Sequence, residues 1–193
     1  MKKTANGQRQ AGKLRIIGGR WRGRKFSFAA EPGLRPTGDR QREMLFNWLS
    51  SDIDDARCAD LFAGSGALGL EALSRGAACC DFIDTSRLAI KSIGEHLLTL
   101  GASNLAHCHH MQAQAYITSQ APASFHILFL DPPFGHDLLN QLCQLIEQQQ
   151  LLVAGGLVYL ESGKRQPVQV PARWQLHRDK ISGEVKSQLF IVP

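Results

Sequence analysis

The chain has no apolar run that approaches the roughly eighteen residues of a membrane-spanning helix. Its opening stretch, MKKTANGQRQAGKLR, carries basic residues but lacks the apolar segment of a secretory signal. Five cysteines are present, with Cys79 and Cys80 adjacent, yet no CxxC pair occurs, so the sequence favours neither a zinc ribbon nor a disulfide framework. We therefore expect a cytoplasmic protein with reduced thiols and no membrane partner.

Internal repeats are also lacking, and the length limits what the chain can build. With 193 residues, 44% of them hydrophobic, the chain can bury one good core. We expect one domain with an appendage. Nothing in the sequence fixes the oligomeric state, and we assume a monomer.

Charge is divided unevenly along the chain. Residues 1–42 hold twelve Lys or Arg against two acids, a net charge of +10, whereas residues 43–193 hold ten against fifteen, a net charge of −5. A basic segment on a mildly acidic body is typical of a protein that binds a polyanion, most often nucleic acid. The alternative, a solvated tail, suits residues 1–12, which we expect to be flexible.

The stretch KLRIIGGRWRGRKFSF, which starts at Lys13, predicts a basic β-hairpin. Basic residues alternate there with apolar and aromatic ones, and three glycines offer turns. Arg and Trp on such a surface can hold phosphates and stack on bases, although a merely solvated hairpin is the alternative.

A helix is predicted in the next stretch, GLRPTGDRQREMLFNWLSS. Thr37 or Asp39 can cap it, and an apolar stripe at helical spacing then faces the core. Arg42 and its basic neighbours are either solvated or continue the basic surface of the hairpin. The candidate RNA contacts are Arg15, Arg20, Trp21, Arg22, Arg24, Lys25, Arg35 and Arg40.

From Arg57 onward, apolar runs ended by Gly, Asp or Pro alternate with helical patterns. Strands are predicted near 57–63, 80–84, 105–109, 125–130, 155–161, 173–180 and 187–192, and helices near 67–75, 86–100, 111–120 and 137–150. This alternation favours an α/β fold with a doubly wound, mostly parallel sheet. KISGEVKS turns between the last two strands and gives an antiparallel edge hairpin.

The stretch ADLFAGSGALGLEAL predicts an adenosine-binding turn. Gly64, Gly66 and Gly69 form GxGxxG between a strand and a helix, and Asp84, at the end of the next strand, can accept hydrogen bonds from ribose hydroxyls. A purely structural turn is the alternative. Asp60, just before the glycines, suits an ammonium better than a pyrophosphate, which favours S-adenosylmethionine over NAD, although Asp60 could instead cap the turn.

Four ordered blocks carry a family resemblance: RIIGGRWRGRKF, LRPTGDRQREMLFNWL, DLFAGSGALGLEALSRGA and FLDPPF. Together they resemble the RsmD family, bacterial 16S ribosomal RNA guanine-N2 methyltransferases, over roughly residues 14–134. The resemblance implies a Rossmann-like class I methyltransferase with a seven-stranded sheet, a basic N-terminal hairpin and helix, and S-adenosylmethionine as cofactor, with S-adenosylhomocysteine as product. We expect no metal.

The same resemblance implies the cofactor contacts. The methionine part is held by Asp60, Ala63, Gly64, Ser65 and Gly66, and the ribose by Asp84. Two positions depart from the family pattern: Thr85 and Ser86 offer only hydroxyls where a charged residue is common, and Gln112 stands where an Asp or Asn often meets the adenine amino group.

The stretch LFLDPPFGH holds the candidate reaction centre. Asp131 and the carbonyl of Pro132 can accept hydrogen bonds from the two hydrogens of an exocyclic amine, and the prolines restrict both residues. Phe134 can stack on a base rotated out of its surroundings. We count Asp131 among the cofactor contacts too. Read alone, DPP is equally compatible with a strand-ending turn, with Phe134 in the core.

Other features of the sequence are weaker indications of function. HCHH at 107–110 suggests a metal, but on a strand the period of two separates its side chains between two faces. His136 could touch phosphate or face solvent, and Lys180 and Gly183, in the last hairpin, either reach the substrate or form a plain turn.

We divide the chain into a flexible basic tail (1–12), an RNA-contacting hairpin and helix (13–50) and a methyltransferase domain (51–193). The hypothesis is methyl transfer to N2 of one guanine in 16S ribosomal RNA, free or in the small subunit or its assembly intermediate. The alternatives are an adenine-N6 methyltransferase on DNA or RNA, an NAD-binding oxidoreductase and a non-catalytic RNA-binding module.

Overall fold

The computed structural model describes residues 11–29, 38–133 and 138–193. The candidate residues Arg35, Phe134 and His136 lie outside these ranges, as do Thr37 and most of the predicted tail.

Strands and helices alternate through most of the described chain. The strands are β1 (Ala11–Arg15), β2 (Lys25–Ala29), β3 (Arg57–Asp60), β4 (Cys79–Asp84), β5 (Ala106–His110), β6 (Phe125–Leu130), β7 (Leu152–Gly163), β8 (Gln175–Ser182) and β9 (Val185–Val192). The helices are α1 (Asp39–Trp48), α2 (Ala67–Ser74), α3 (Arg87–Leu100), α4 (Ala113–Ser119) and α5 (Leu138–Gln148). No helix in the described part of the chain is long and apolar enough to cross a membrane.

Seven strands form one sheet in the order β5-β4-β3-β6-β7-β9-β8, and β1 and β2 form a separate antiparallel hairpin. The first five of these strands are parallel because a helix crosses over between each consecutive pair. The predicted fold class is therefore confirmed. The last strand differs in place: β9 inserts between β7 and β8, so β8 is the edge and all its residues are exposed.

The sheet is covered on both faces, as a parallel sheet requires. On one face α1, α2, α3 and the hairpin bury a core that includes Phe46, Phe82 and Phe129. On the other, α4 and α5 bury a core that includes Leu142 and Phe190. Phe82 and Phe129 lie on the strands that flank β3, and Gly69 of α2 packs directly against the Phe82 ring.

Glu71 holds the hairpin against the sheet domain. Its carboxylate, only 1% exposed in the middle of α2, accepts hydrogen bonds from the backbone N–H groups of Ile17 (2.9 Å) and Gly18 (2.8 Å) and from Nε of Arg75 (2.8 Å). Hydrogen bonds to a charged, buried acceptor are strong. The loop between β1 and β2 is thereby fixed on α2.

The end of α2 continues this contact. Ser74 Oγ accepts from the backbone N–H of Trp21 (3.0 Å) and donates to the carbonyl of Gly18 (2.6 Å). Gly19 passes so close that a Cβ on it would lie 1.8 Å from the Ser74 carbonyl oxygen, and its φ of 73° also favours glycine. The glycine pair in IIGGRW thus allows the loop to pack against α2 as well as to form the turn of the hairpin.

Two expectations for the N-terminal region are wrong. Arg42 does not continue the basic surface: it is 1% exposed and donates to the carbonyl of Arg15 and to Asp39, both at 2.8 Å. Asp39 makes no side-chain cap because Gly38 is the N-cap of α1 and the Asp39 carboxylate is occupied by Arg15 and Arg42. In addition, β1 begins at Ala11, so residues 11 and 12 belong to the hairpin and not to the tail.

Candidate active site

The candidate residues meet at the carboxyl edge of the parallel strands. Asp60 and Asp84 end the neighbouring strands β3 and β4, and Asp131 follows the last residue of β6 on the other side of β3. Gln112 lies two residues beyond β5. Ligands of open α/β sheets bind at this edge, where the strand order reverses. Here the order reverses between β3 and β6, which places Asp60 and Asp131 on either side of the crevice.

The glycine turn runs from the end of β3 into α2, as predicted. Gly64 and Gly66 have φ values of 51° and 80°, which only glycine adopts without strain, and Gly66 is the N-cap of α2. The carbonyl of Ala63 accepts from the backbone N–H of Gly66 at 2.6 Å, and Ser65 is buried. The turn is therefore rigid, and its backbone can approach a ligand at the N-terminus of α2.

Asp60 lies beneath this turn with one oxygen engaged. Its Oδ2 accepts from the backbone N–H of Gly69 at 3.1 Å, whereas Oδ1 is buried and has no hydrogen-bond partner among the described residues. Burial raises the pKa of Asp60 to about 7, and the charges of Asp131 and Asp84 act in the same direction. A ligand ammonium beside Oδ1 would satisfy this oxygen and favour the ionised carboxylate.

Asp84 joins the turn to the end of β4. Its Oδ2 accepts from the backbone N–H of Gly64 at 2.8 Å and its Oδ1 from that of Ser86 at 2.7 Å. Each oxygen keeps a second lone pair, and the side chain is partly exposed, so ribose hydroxyls can still reach it. Gln112 is exposed at the N-cap of α4, where the backbone N–H of Met111 donates to the Asp84 carbonyl at 3.1 Å. Both residues therefore border the same crevice.

Asp131 and Pro132 form the stiff corner after β6. Asp131 is partly exposed and Pro132 is buried. The preceding strand is fixed by the backbone N–H of Leu61, which donates to the carbonyl of Phe129 at 3.0 Å. The corner is thus held from the strand side by β3 and by the fixed φ of two prolines.

Glu161, which the sequence analysis does not single out, lies beside the Asp131–Pro132 corner. Glu161 is 3% exposed near the end of β7, and burial together with the charge of Asp131 raises its pKa to about 8. The signal was the same as for Asp60 and Asp131: a carboxylate at the carboxyl end of an apolar strand.

The candidate RNA contacts are spread along the hairpin and α1. Arg15, Arg20, Arg22, Arg24, Lys25 and Arg40 are all exposed. Trp21 is half-buried against the core, with the Arg20 guanidinium 4.4 Å from its ring centroid. The aromatic residues of the hairpin therefore point largely inward and the basic ones outward.

The histidines of HCHH belong to the far edge of the sheet. His107 Nδ1 lies 3.1 Å from Asp81, which also accepts a hydrogen bond from the Tyr116 hydroxyl. Within the described residues, no group of three or more His, Cys, Asp or Glu side chains is suited to hold a metal ion.

Known proteins share this sequence and fold. The family model described as "Conserved hypothetical protein 95" matches residues 14–191. Ribosomal RNA small subunit methyltransferase D of Escherichia coli (strain K12) is 46% identical over 181 residues, which cover 93% of this chain and 90% of that relative. The chain belongs to the RsmD family of ribosomal RNA methyltransferases. The alternative classes, an NAD-binding oxidoreductase and a non-catalytic module, are thereby set aside.

Solved structures agree with an RsmD-family fold. A structure described as a putative methyltransferase yhhF from Escherichia coli superposes with a TM-score of 0.86 at 43% identity, covering 94% of this chain and 98% of that one. The fold is also shared with the 16S rRNA N2 G1207 methyltransferase of Thermus thermophilus, solved with AdoMet and guanosine, at a TM-score of 0.66 and 20% identity, covering 95% of this chain and 50% of that one.

The RsmD-family site fits S-adenosylmethionine on its own geometry. The buried, unpartnered Oδ1 of Asp60 suits the ammonium, the glycine turn carries no side chain at Gly64 and Gly66 that would keep a ligand from the backbone, and Asp84 is partly exposed. A pyrophosphate, in contrast, would meet the charge of Asp60 directly.

Proposed function

We propose that this RsmD-family enzyme transfers a methyl group from S-adenosylmethionine to the exocyclic N2 of one guanine in 16S ribosomal RNA. The proposal rests chiefly on one observation, the rigid Asp131–Pro132 corner across the crevice from the glycine turn. When bound, S-adenosylmethionine would supply an activated methyl group: the methyl–sulfur bond would break as the carbon–nitrogen bond forms, and S-adenosylhomocysteine would leave as the neutral thioether. We further propose that the enzyme acts as a cytoplasmic monomer and that residues 13–50 contact the RNA.

The chain's own residues orient the amine. The lone pair of guanine N2 is delocalised into the ring, so the nitrogen becomes nucleophilic only when it is held in a tetrahedral geometry. The Asp131 carboxylate accepts one N2 hydrogen and the Pro132 carbonyl accepts the other, which directs the lone pair away from both acceptors. Because both acceptors are fixed before the substrate arrives, little reorganisation is needed during transfer.

Asp131 also receives the proton that the amine loses. A nitrogen that carries its fourth bond is acidic, so an ordinary carboxylate is a sufficient base. The partly exposed side chain gives this proton a route to solvent. We propose that Asp60, Ala63, Gly64, Ser65, Gly66, Asp84 and Gln112 hold the cofactor and that Phe134 stacks on the target base.

The test is methyl transfer from labelled cofactor to small-subunit RNA, naked and assembled, followed by nucleoside analysis. We expect N2-methylguanosine. Asp131→Ala should lower kcat by about a hundredfold or more, in line with loss of a preorganised hydrogen-bond partner, with cofactor affinity retained. Asp179→Ala, on the exposed edge strand β8, is the matched control and should remain active.

Other results would contradict the proposal in distinct ways. Label only in adenosine, or only in DNA, would overturn the assignment of the base or of the polymer. Loss of cofactor binding in Asp131→Ala would instead show that the corner supports the cofactor site and does not act on the amine.

A further inference from the structure

Glu161 lies directly beside Asp131. Phe129 pairs with Tyr159 and Leu130 with Leu160 in the parallel register of β6 and β7. Continued by one residue, this register puts Asp131 next to Glu161 on the face of the sheet that α1 covers. Two carboxyl groups therefore occupy adjacent strand ends at the reaction centre.

Both oxygens of Glu161 are already engaged inside the protein. The Tyr159 hydroxyl donates to Oε1 at 2.7 Å, and Nε2 of Gln41 donates to Oε2 at 3.0 Å. Ser187 Oγ closes the network: it accepts from Gln41 at 3.0 Å, and its own hydroxyl can donate to the Tyr159 oxygen, which lies 3.1 Å away. Because Glu161 is also 3% exposed, it is not placed to contact the RNA itself.

The charges around Glu161 are negative or absent. The titratable groups that face it are Asp131 at the end of β6, Asp60 at the end of β3 and Tyr159 on its own strand. From α1 and β9 it meets the neutral side chains of Gln41 and Ser187. Burial, and after it the charge of Asp131, raise the pKa of Glu161 to about 8 and outweigh the hydrogen bonds from Tyr159 and Gln41, which favour the ionised carboxylate.

We propose that Glu161 is a positioning residue for Asp131, a neutral acid that leaves the negative charge on Asp131 and fixes that side chain toward the amine. The proposal rests on the proposed function, because positioning matters only if Asp131 acts on the substrate. A second charge on the adjacent strand end would repel the Asp131 carboxylate and displace it.

The same network connects the reaction centre to the hairpin. Gln41 reaches Glu161, and the next residue of α1, Arg42, donates to the carbonyl of Arg15 on β1 at 2.8 Å. Arg15 and Asp39 form an ion pair at 2.9 Å. The first turn of α1 therefore contacts both the hairpin and Glu161. RNA bound by the hairpin would be held in a defined position relative to the Asp131–Pro132 corner.

The first experiment compares kcat, the RNA KM and cofactor affinity among variants of the full chain at pH 7. Glu161→Gln keeps the shape and is permanently neutral, so kcat should stay within about threefold of the parent. Glu161→Ala should lower kcat by about ten- to a hundredfold, the range that misplacement of a reacting group produces, with RNA KM and cofactor affinity unchanged. Ser162→Ala, buried on the opposite face of β7, is the matched control and should retain kcat.

A second experiment measures the protonation state of Glu161. With cofactor saturating, kcat of the parent should fall as the pH rises through about 8, where Glu161 ionises, and Glu161→Gln should lack this fall. Infrared spectra at pH 7 should show a protonated-carboxyl band in the parent that is weaker in Glu161→Gln. The infrared band reports the protonation of Glu161, whereas a purely structural role would leave the pH profile of kcat unchanged in Glu161→Gln.

Specific outcomes overturn the proposal. Parental kcat in Glu161→Ala, or equal loss in folded Glu161→Gln and Glu161→Ala, would show that a neutral positioning acid is not needed. If Glu161→Ala fails to fold, Gln41→Leu and Tyr159→Phe decide, since each removes one contact of the network: parental kcat in both would overturn it. Absence of N2-methylguanosine from the parent enzyme would instead refute the proposed function.

Discussion

Asp60 shows how one buried residue can serve both the fold and a ligand. Its Oδ2 fixes the first turn of α2 through Gly69, and its Oδ1 is left without a partner in the described structure. A buried polar atom of this kind costs roughly 1–3 kcal/mol unless something satisfies it. We infer that the cofactor ammonium does so, which couples cofactor binding to the stability of the glycine turn.

Asp60→Asn separates these two roles. The amide oxygen can still accept from Gly69, but the NH₂ group then faces the ligand and repels its ammonium. We expect S-adenosylmethionine to bind at least about tenfold more weakly, from the loss of a charge-assisted hydrogen bond, with unchanged RNA affinity. Calorimetric titration of the cofactor, with thermal unfolding as the check of the fold, measures this. Unchanged cofactor affinity would contradict the assignment of Asp60.

At this scale the sequence predicts acids at strand ends better than charges inside the protein. Asp60, Asp84 and Asp131 are predictable because each ends or follows an apolar strand, and the carboxyl ends of parallel strands meet at one edge of the sheet. Arg42 was misjudged because its burial depends on a carbonyl in β1, and no local pattern reveals a partner 27 residues away. The position of Glu161 near the end of an apolar strand is visible in the sequence. Its hydrogen bonds to Gln41 and Tyr159, and hence its burial, are not.

At the scale of elements, α2 joins the two halves of the proposed machinery. Its N-terminus is the glycine turn, and its middle and end hold the hairpin loop through Glu71 and Ser74. The sequence predicted both the hairpin and the helix. It did not predict their contact, because docking depends on the tertiary placement of an acid that reads locally as an ordinary helical residue.

Glu71→Ala tests the docking. It leaves two backbone N–H groups and the Arg75 guanidinium without their acceptor, and we expect the free energy of unfolding to fall by about 2–4 kcal/mol. Urea denaturation measures the loss. Glu95→Ala on α3 is the matched control: its side chain is 63% exposed and 3.8 Å from Lys91, so its removal should change stability by less than about 0.5 kcal/mol.

At the scale of the whole molecule, the basic charge is concentrated near the start of the chain, and six Lys or Arg residues with no acid lie in the hairpin that α2 holds. Residues 1–42 carry a net charge of +10 and the remainder −5. We propose that the net negative charge of residues 43–193 repels RNA, so that attraction comes from the exposed basic residues of the hairpin. This arrangement directs the RNA to one side of the protein.

Arg22→Ala tests this distribution. Arg22 is exposed in the loop between β1 and β2, and its removal should weaken RNA binding by about three- to tenfold and lower the salt dependence by about one phosphate contact. Filter binding at several salt concentrations measures both. Arg173→Ala is the matched control, because Arg173 lies beside Glu147 at the end of α5 and outside the hairpin. Equal effects of the two variants would mean that RNA binds without regard to the hairpin.

The length of α2 has a consequence for the RNA. From Gly66 to Ser74 the helix rises roughly 12 Å, so the loop that docks on its end lies about that far from the glycine turn. At about 3.4 Å per nucleotide of a stacked strand, this distance corresponds to some four nucleotides. We therefore propose that the fixed length of α2 sets the distance between the crevice and the basic loop, so that a free nucleoside at the reaction centre would not reach the loop.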